Sequence, residues 1–407
     1  MKKLSLITPL LFFSALSLSA KDRKTVFVVV DGIPADVIER VATPAIDEIA
    51  FKGGYARMRM GGIIDGYSQT PTISAVGYNC LLTGTWANKH NVFDNGIANP
   101  NYNYWSIFRI AESQKKEVKT AVYSTWLDNR TKLIGEALPQ NGNFSMDHFF
   151  DGMENDPVNY PAEDEHMNIF KIDEAVSLAA SKGILTDAPD LTWVYLQYTD
   201  DAGHLFGDGD KFDQYVKKAD EQVSRIWESV KIREAKYDEE WMMIVVTDHG
   251  RNASGHGHGG QTDRERTVWM ATNIGTNRYF KNPDMAITDI APSIARYMDF
   301  DVPNALRMES DGIPFIGNAS ICGLDASLRN DEVVLTWEAL EPKSKVTVYA
   351  SMEDQFKNGG SDTWVKLGTA KASEGCFRFK QMKKPSGFYK FSLISEGNAV
   401  NCQLHLD

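Results

Sequence analysis

Thr25-Val26-Phe27-Val28-Val29-Val30-Asp31-Gly32 is an unbroken, β-branched apolar run that stops at an acid and a glycine. A strand with one solvated face alternates apolar and polar residues, whereas a run apolar at every position fills a strand covered on both faces. The same unit then recurs along the chain. Helices are expected from Trp105 to Lys116, Ile169 to Lys182 and Asp210 to Val230; strands are expected from Thr120 to Ser124, Leu191 to Tyr198 and Trp241 to Thr247. Strands separated by helices of this length predict an α/β domain with a mostly parallel central sheet and helices on both faces.

Sheets of that kind gather ligands at the carboxyl ends of their strands. Asp31, Asp200 and Asp248 each fall just past the end of an expected strand, so three acids are delivered to one rim. The last of them opens Asp248-His249-Gly250, which leads into Gly255-His256-Gly257-His258-Gly259-Gly260. Asp and neutral His are the oxygen and nitrogen donors of zinc-like cations, and a buried strand end holds such donors still while the glycine loop stays open. A solvated His/Gly loop is the plain alternative. Tyr198-Thr199-Asp200-Asp201-Ala202-Gly203-His204 repeats the pattern, with Asp200 and His204 reaching one ion if the glycine-containing turn folds back. A third element is Thr70-Pro71-Thr72-Ile73-Ser74-Ala75-Val76-Gly77-Tyr78, where Ser74 sits at the entry to a helix. A hydroxyl there is either an ordinary helix cap or a nucleophile activated by a cation and by the helix N-terminus, with Thr70 and Thr72 as competitors.

The chain ends set compartment and architecture. Met1 to Ala20 carries Lys2 and Lys3, an apolar stretch and then Ser17, Ser19 and Ala20, the pattern of a cleaved signal peptide. The apolar stretch, interrupted by Pro9, is too short for a membrane anchor, so an exported, periplasmic or secreted protein is expected. Losing two lysines takes the net charge from -12 to -14, which disfavours gripping a nucleic-acid duplex. Four cysteines, Cys80, Cys322, Cys376 and Cys402, are too few to carry stability, although export would permit Cys376 and Cys402 to pair. Past a composition break at Gly317 to Leu324, short alternating segments run from Glu332 to Leu406, separated by Gly359-Gly360-Ser361-Asp362 and Pro385-Ser386-Gly387. These predict a small antiparallel β-sandwich over 325–407, after a catalytic domain over 21–320.

Taken together and in order, Asp31 after its strand, a hydroxyl residue nine positions before Thr83-Gly84, Asp200 with His204, Asp248-His249-Gly250 and His258-Gly259-Gly260 resemble the alkaline phosphatase superfamily. The resemblance is closest to nucleotide pyrophosphatase/phosphodiesterases and covers roughly residues 24 to 315. It implies two divalent ions, by analogy zinc. Asp31, Ser74, Asp248 and His249 would hold one; Asp200, His204 and His258 would hold the other, with His256 a spare neighbour. The family spacing makes Ser74 the nucleophile and, 21 positions on, Asn95 a phosphoryl-binding amide. The chain departs from the family where Phe-Pro-Asn commonly follows the nucleophile and Ala75-Val76-Gly77 stands instead. Leu335-Thr336-Trp337 in the tail resembles an early strand of a fibronectin type III-like module.

The resemblance implies an exported two-metal hydrolase that cleaves a phosphodiester or nucleotide pyrophosphate bond through a phosphoseryl intermediate, with a small phosphate ester or nucleotide as substrate. In one branch the superfamily's monoesterases carry a Lys-x-Arg pair where this chain has Asp128-Asn129-Arg130, which favours a diester or pyrophosphate; a phosphomonoester is the alternative and a phosphonate a further one. Sulfatases need x-Pro-x-Arg after a modified residue, which Ser74-Ala75-Val76-Gly77-Tyr78 lacks. Candidate substrate contacts are Arg130, equally readable as an exposed loop cation, and Tyr102 and Trp105, which could stack on a nucleobase although aromatic residues before a helix are more often packing. A different class of reading is a surface adhesion protein whose sandwich does the work and whose large domain is a relic.

Overall fold

A computed structural model describes residues 21–380 and 387–405, so the expected signal peptide lies outside the described residues. The apolar run that opened the sequence forms most of β1 (Asp22–Val30), in which every residue from Lys24 onward is buried. Side chains alternate across a strand, so Phe27 and Val29 enter one core and Val26, Val28 and Val30 the other. Burying each such residue is worth roughly 1.5–3 kcal/mol. A polar residue at any of these positions would lose that gain on one face or the other.

Around β1 the sheet is completed by β2 (Gly54–Arg59), β3 (Thr120–Ser124), β4 (His148–Phe150), β5 (Leu191–Leu196), β6 (Glu239–Val246) and β7 (Thr267–Thr272), in the order β2-β7-β6-β1-β5-β3-β4. β1 pairs in parallel with β5 and β6, and β3 in parallel with β5 and β4, while β2 and β7 form an antiparallel margin. The sheet is therefore mostly parallel, as the βα alternation predicts. The expected strand and helix positions hold with shifted ends: the helix from Trp105 is only Ile107–Glu112, begun by the Ser106 hydroxyl that caps Arg109 N–H. The strand expected to run to Tyr198 stops at Leu196. Helices Met167–Thr186 and Asp210–Lys236 cover one face. Ser74–Thr83, Ile107–Glu112 and Ile290–Tyr297 cover the other. β2 escaped the sequence pattern because Arg57 and Arg59 alternate with buried Ala56 and Met58, a charged margin that resists edge-to-edge pairing.

The tail forms two antiparallel sheets. β8 (Ile321–Arg329), β9 (Glu332–Ala339) and β12 (Cys376–Lys380) make one; β10 (Lys345–Ser351), β11 (Val365–Lys371), β13 (Phe388–Ser395) and β14 (Ala399–His405) make the other. Their inward residues, such as Leu335, Val348 and Phe391, join the core on the Phe27 side of the large sheet. Cys80, Cys322, Cys376 and Cys402 are all free thiols, so Cys376 and Cys402 do not pair. Among the described residues no helix is long and apolar enough to cross a membrane.

The two parts are joined by buried charge. Lys390 on β13 is 3% exposed, and its ammonium lies 2.6 Å from Glu309, 2.6 Å from Asp362 and 3.1 Å from Asp354. Lys89, equally buried, donates to the Glu309 carbonyl at 2.7 Å, to Asp311 at 2.5 Å and to Asn401 on β14 at 2.8 Å. Removing one partner of such a network leaves desolvated charge behind, at a cost of about 3–5 kcal/mol. Lys390→Met is accordingly expected to lower unfolding free energy by about 3 kcal/mol in denaturant titration. A loss below about 1 kcal/mol would show that the carboxylates are not held by this lysine.

Candidate metal centre

Three neighbouring strands deliver the acids. Asp31 follows β1, Asp248 and His249 follow β6, and the residues after β5 enter a helix, Tyr198–Phe206. Asp200 and His204 thus meet as neighbours one turn apart on that helix, with Asp200 Oδ2 and His204 Nε2 3.2 Å apart, and not by a turn folding back as the sequence suggested. The reason is local: Asp173 accepts from the Gln197 and Tyr198 N–H groups at 3.0 and 2.8 Å, which starts the helix immediately after the strand.

The donor atoms converge. Asp31, Asp248 and His249 form one group, and Asp200, His249 and His258 a second, each with its ligand atoms within 4.8 Å of one another. His249 Nε2 lies 3.3 Å from Asp31 Oδ1 and 3.4 Å from Asp248 Oδ2. His258 Nε2 lies 3.6 Å from Asp200 Oδ1 and 3.1 Å from His204 Nε2. Each acid of the first group spends one oxygen on the protein. Asp31 Oδ2 accepts from the Tyr195 hydroxyl at 2.7 Å and from Tyr78, and Asp248 Oδ1 accepts from Gly32 N–H at 3.1 Å. The other oxygens, Asp31 Oδ1 and Asp248 Oδ2, are buried without a hydrogen-bond partner among the described residues. His249 and His258 place Nδ1 2.9 Å from the carbonyls of Gly250 and Thr72, which turns each Nε2 toward the acids. Orphaned carboxylate oxygens facing imidazole nitrogens fit a divalent cation, because such atoms are otherwise costly to bury.

The electrostatics of the cluster's own groups points the same way. Burial, with Asp31 beside it, drives Asp248 well above the usual carboxylate range. Burial works against a charged His249, but Asp248 and Asp31 outweigh it and push the imidazole up to about 9. His258 is pushed down to about 4 by burial and by the His249 charge. Burial opposes ionisation of Asp200 as well, yet His204, Arg251, His249 and His258 hold it below its ordinary value.

Ser74 is the first residue of its helix, 5% exposed, with Oγ 3.3 Å from His249 Nε2. The competing hydroxyls are committed elsewhere: Thr70 donates to the Ser68 carbonyl at 2.9 Å and Thr72 to the Gly260 carbonyl at 2.9 Å. Asn95 reaches the same helix end, its Oδ1 accepting Ala75 N–H at 3.0 Å. The departure Ala75-Val76-Gly77 has a spatial cause. A Cβ on Gly77 would stand 2.9 Å from the Asp248 carbonyl oxygen, so the missing side chain lets the helix press against the end of β6.

Other expected residues sit apart. Arg130 is taken up by Asp151 at 2.6 and 2.9 Å and by Glu136, and stacks on Phe149. Tyr102 donates to the Lys132 carbonyl at 2.6 Å, and Trp105 lies against the Arg109 guanidinium beside a cavity of about 460 Å³ that none of the cluster residues lines. His256 places Nδ1 2.9 Å from the His204 carbonyl and belongs to neither ligand group; His204, expected as a ligand, also stands outside both and reaches the second through Asp200 and His258. Sequence reading missed Arg251, which is wholly buried, donates to the Gly32 carbonyl at 2.9 Å and the Asp200 carbonyl at 2.7 Å, and ion-pairs with the Asp200 carboxylate. It also missed Tyr78 and Tyr195. The available signals were an arginine directly after Asp248-His249-Gly250 and a tyrosine one helical turn past Ser74.

A mostly parallel sheet whose rim gathers acids, imidazoles and a helix-end serine defines a hydrolase of the alkaline phosphatase superfamily. Within it, the chain belongs to the type I phosphodiesterase / nucleotide pyrophosphatase family, whose pattern matches residues 25–284. That family is metal-dependent and hydrolyses phosphoric esters. Among solved structures the chain is similar to a Bacteroides thetaiotaomicron protein assigned as a sulfatase, at 11% identity and a TM-score of 0.50, over 85% of this chain and 86% of that one. It is also similar to murine ectonucleotide pyrophosphatase/phosphodiesterase 5, at 13% identity and a TM-score of 0.47, over 69% and 96%. At these identities the likeness concerns the fold. A comparison with curated protein sequences returned no match.

Two outcomes are expected. The folded value of His249, about 9, lies above the roughly 6.5 of an unfolded histidine, so its charge stabilises the ion-free protein below about pH 6.5 and that contribution is lost as pH rises through 9. Asp248, also raised, acts in the same sense. The melting temperature of chelator-treated protein should fall across that window, and a flat or rising profile would contradict the cluster's electrostatics. Separately, a Cβ on Gly203 would meet Arg251 Cζ at 2.1 Å, and the buried guanidinium has nowhere to go. Gly203→Ala should cost roughly 1–3 kcal/mol by thermal unfolding, and a neutral result would show that Arg251 is free to move.

Proposed function

We propose that this chain is an exported two-metal phosphoric ester hydrolase that cleaves a phosphodiester or nucleotide pyrophosphate bond with Ser74 as nucleophile. The observation that carries the reading is the pair of partnerless buried oxygens, Asp31 Oδ1 and Asp248 Oδ2, facing His249 beside the Ser74 hydroxyl. Asp31, Ser74, Asp248 and His249 would hold one ion and Asp200, His204 and His258 the other, with zinc suited to mixed Asp/His ligation. Bound there, divalent ions supply Lewis acidity that favours an ionised serine and eases departure of the leaving oxygen.

The chain's own groups supply the rest. Ser74 Oγ attacks phosphorus as the bond to the leaving oxygen breaks, giving a phosphoseryl enzyme; water then attacks phosphorus and returns the serine. The helix beneath Ser74 favours negative charge at its first turn. Asn95 spends Oδ1 on Ala75 N–H and has no protein partner for Nδ2 among the described residues, so the amide is oriented to donate to a nonbridging oxygen.

Preference for a diester or pyrophosphate over a monoester is supported by Arg130. A dianionic monoester needs an additional cation, and this guanidinium is already neutralised by Asp151 and Glu136. A sulfate substrate is disfavoured by Ser74-Ala75-Val76-Gly77-Tyr78, which lacks the proline and arginine of the sulfatase motif. Export rests on the character of Met1 to Ala20.

Metal analysis of the purified protein, with parallel assays on phosphate monoester, diester, nucleotide pyrophosphate and sulfate substrates, tests the reading. Two divalent ions per chain are expected, with diester or pyrophosphate turnover abolished by chelation and reduced on the order of 10³-fold or more in Ser74→Ala. Full activity in Ser74→Ala, or a metal-free active enzyme, would remove the proposal. A chiral phosphorothioate should leave with net retention at phosphorus, since two displacements each invert it.

A further inference from the structure

The loop that carries Asn95 is closed at its base. Asn101 N–H donates to the His90 carbonyl at 2.9 Å, and Asn91 Nδ2 donates to the Asn99 carbonyl at 2.8 Å, so residues 91–100 leave the chain and return to nearly the same place. Its tip, Phe93 to Gly96, is exposed and held by local bonds, Gly96 N–H to Asp94 Oδ1 at 2.8 Å and Ile97 N–H to the Asp94 carbonyl at 3.3 Å. From that tip Asn95 reaches back to Ala75 N–H at 3.0 Å, next to Ser74. An exposed loop of this kind places a side chain accurately only if its base is fixed to something rigid.

Val92 and Ile97 bury the loop's inner side in the catalytic core, and the C-terminal pair of sheets holds its base from outside. The Lys357 carbonyl, in the loop between β10 and β11, accepts from Asn101 Nδ2 at 2.9 Å and from Asn103 Nδ2 at 3.2 Å. The Phe356 ring meets the Tyr104 ring edge-on, centroids 5.2 Å apart. The β10–β11 loop is itself locked: Asp362 accepts Gln355 N–H at 2.6 Å and Phe356 N–H at 3.3 Å, while its second oxygen holds Lys390 at 2.6 Å. On the opposite side of the base, Lys89 directly precedes His90 and donates to Asn401 of β14 at 2.8 Å.

We propose that the C-terminal sandwich positions the phosphoryl-binding loop: through the Lys357 carbonyl it fixes Asn101 and Asn103, and so holds Asn95 at the nucleophile. Asn101 and Asn103 are positioning residues that act through Asn95, and the inference rests on the proposed role of Asn95. A sandwich that merely packs against the catalytic domain would affect stability without coupling to that side chain.

A double-mutant cycle on the full-length protein separates the two, with bis(p-nitrophenyl) phosphate as the probe substrate. Asn101→Ala/Asn103→Ala should lower kcat about tenfold with a smaller change in KM, because a displaced donor is felt mainly in the transition state. In an Asn95→Ala background the same pair of substitutions should cost less than about twofold. An equal loss in both backgrounds, or none in the first, overturns the positioning role while leaving Asn95 in place. A neutral Asn95→Ala instead removes the assignment of Asn95, and the inference with it. Amide hydrogen exchange gives a readout that needs no turnover: residues 90–103 and the Ala75 amide should exchange faster in Asn101→Ala/Asn103→Ala while β1 and β6 are unchanged. Unchanged exchange in that segment overturns the brace whatever the chemistry.

Discussion

Two buried carboxylates, each with an oxygen that makes no hydrogen bond among the described residues and faces the His249 imidazole, set the terms for the rest of the molecule. Like charges about 4 Å apart repel by about 4 kcal/mol at an effective dielectric near 20, and desolvation adds to that. Asp31 and Asp248 stay together because neighbouring parallel strands, buried on both faces, fix their backbones. Tyr78 and Tyr195 then hold one oxygen of Asp31, and Gly32 N–H one of Asp248. The arrangement needs positive charge nearby: His249 faces both carboxylates, while Arg251 and His204 pair with Asp200 beside them. Gly77 belongs to the same constraint, since any side chain there would push the serine's helix off the end of β6.

What the sequence made legible follows from how local each signal is. The Thr25 to Val30 run and the acid that ends it need only neighbouring residues to be read, and β1 with Asp31 at its rim is where they led. Asp248-His249 and His258 were readable for the same reason. Asp200 and His204 do lie 3.2 Å apart, but on a helix and not in a folded-back turn, because the helix start depends on Asp173, more than twenty residues away in sequence. Arg251 and Tyr78 stand beside the motifs, and Tyr195 in a strand, but none announces its role locally without its partner; each matters through a contact found only after folding, Arg251 through Gly32 219 positions off. Arg130 shows the converse, a loop cation that looked available until Asp151 and Glu136 closed on it.

The tail's contribution could not be read from its own alternation. The alternation from Glu332 to Leu406 announces a sandwich, yet nothing in it says that the carbonyl of Lys357 meets Asn101 and Asn103, or that Lys390 meets Glu309. These contacts place buried charge and amide donors along one junction, with the loop over 91–100 beside it. A junction built on desolvated ion pairs tolerates little sliding, since each lost partner exposes an uncompensated charge. Geometry rather than area is what such an interface transmits.

Charge also bears on the choice of substrate. A diester or pyrophosphate phosphoryl group presents one negative charge per phosphorus at the reacting centre, whereas a monoester carries two. The protein is strongly acidic overall, so any cation that receives the second charge must be local. Arg251 is the guanidinium nearest the cluster, but it is wholly buried and already bonded to Asp200 and Gly32, which makes it part of the frame and not a substrate contact. Asn95 offers an amide, which stabilises a developing charge through hydrogen bonding without adding a full positive charge. On the proposed reading, a site finished by a neutral donor and two divalent ions matches a singly charged phosphoryl centre.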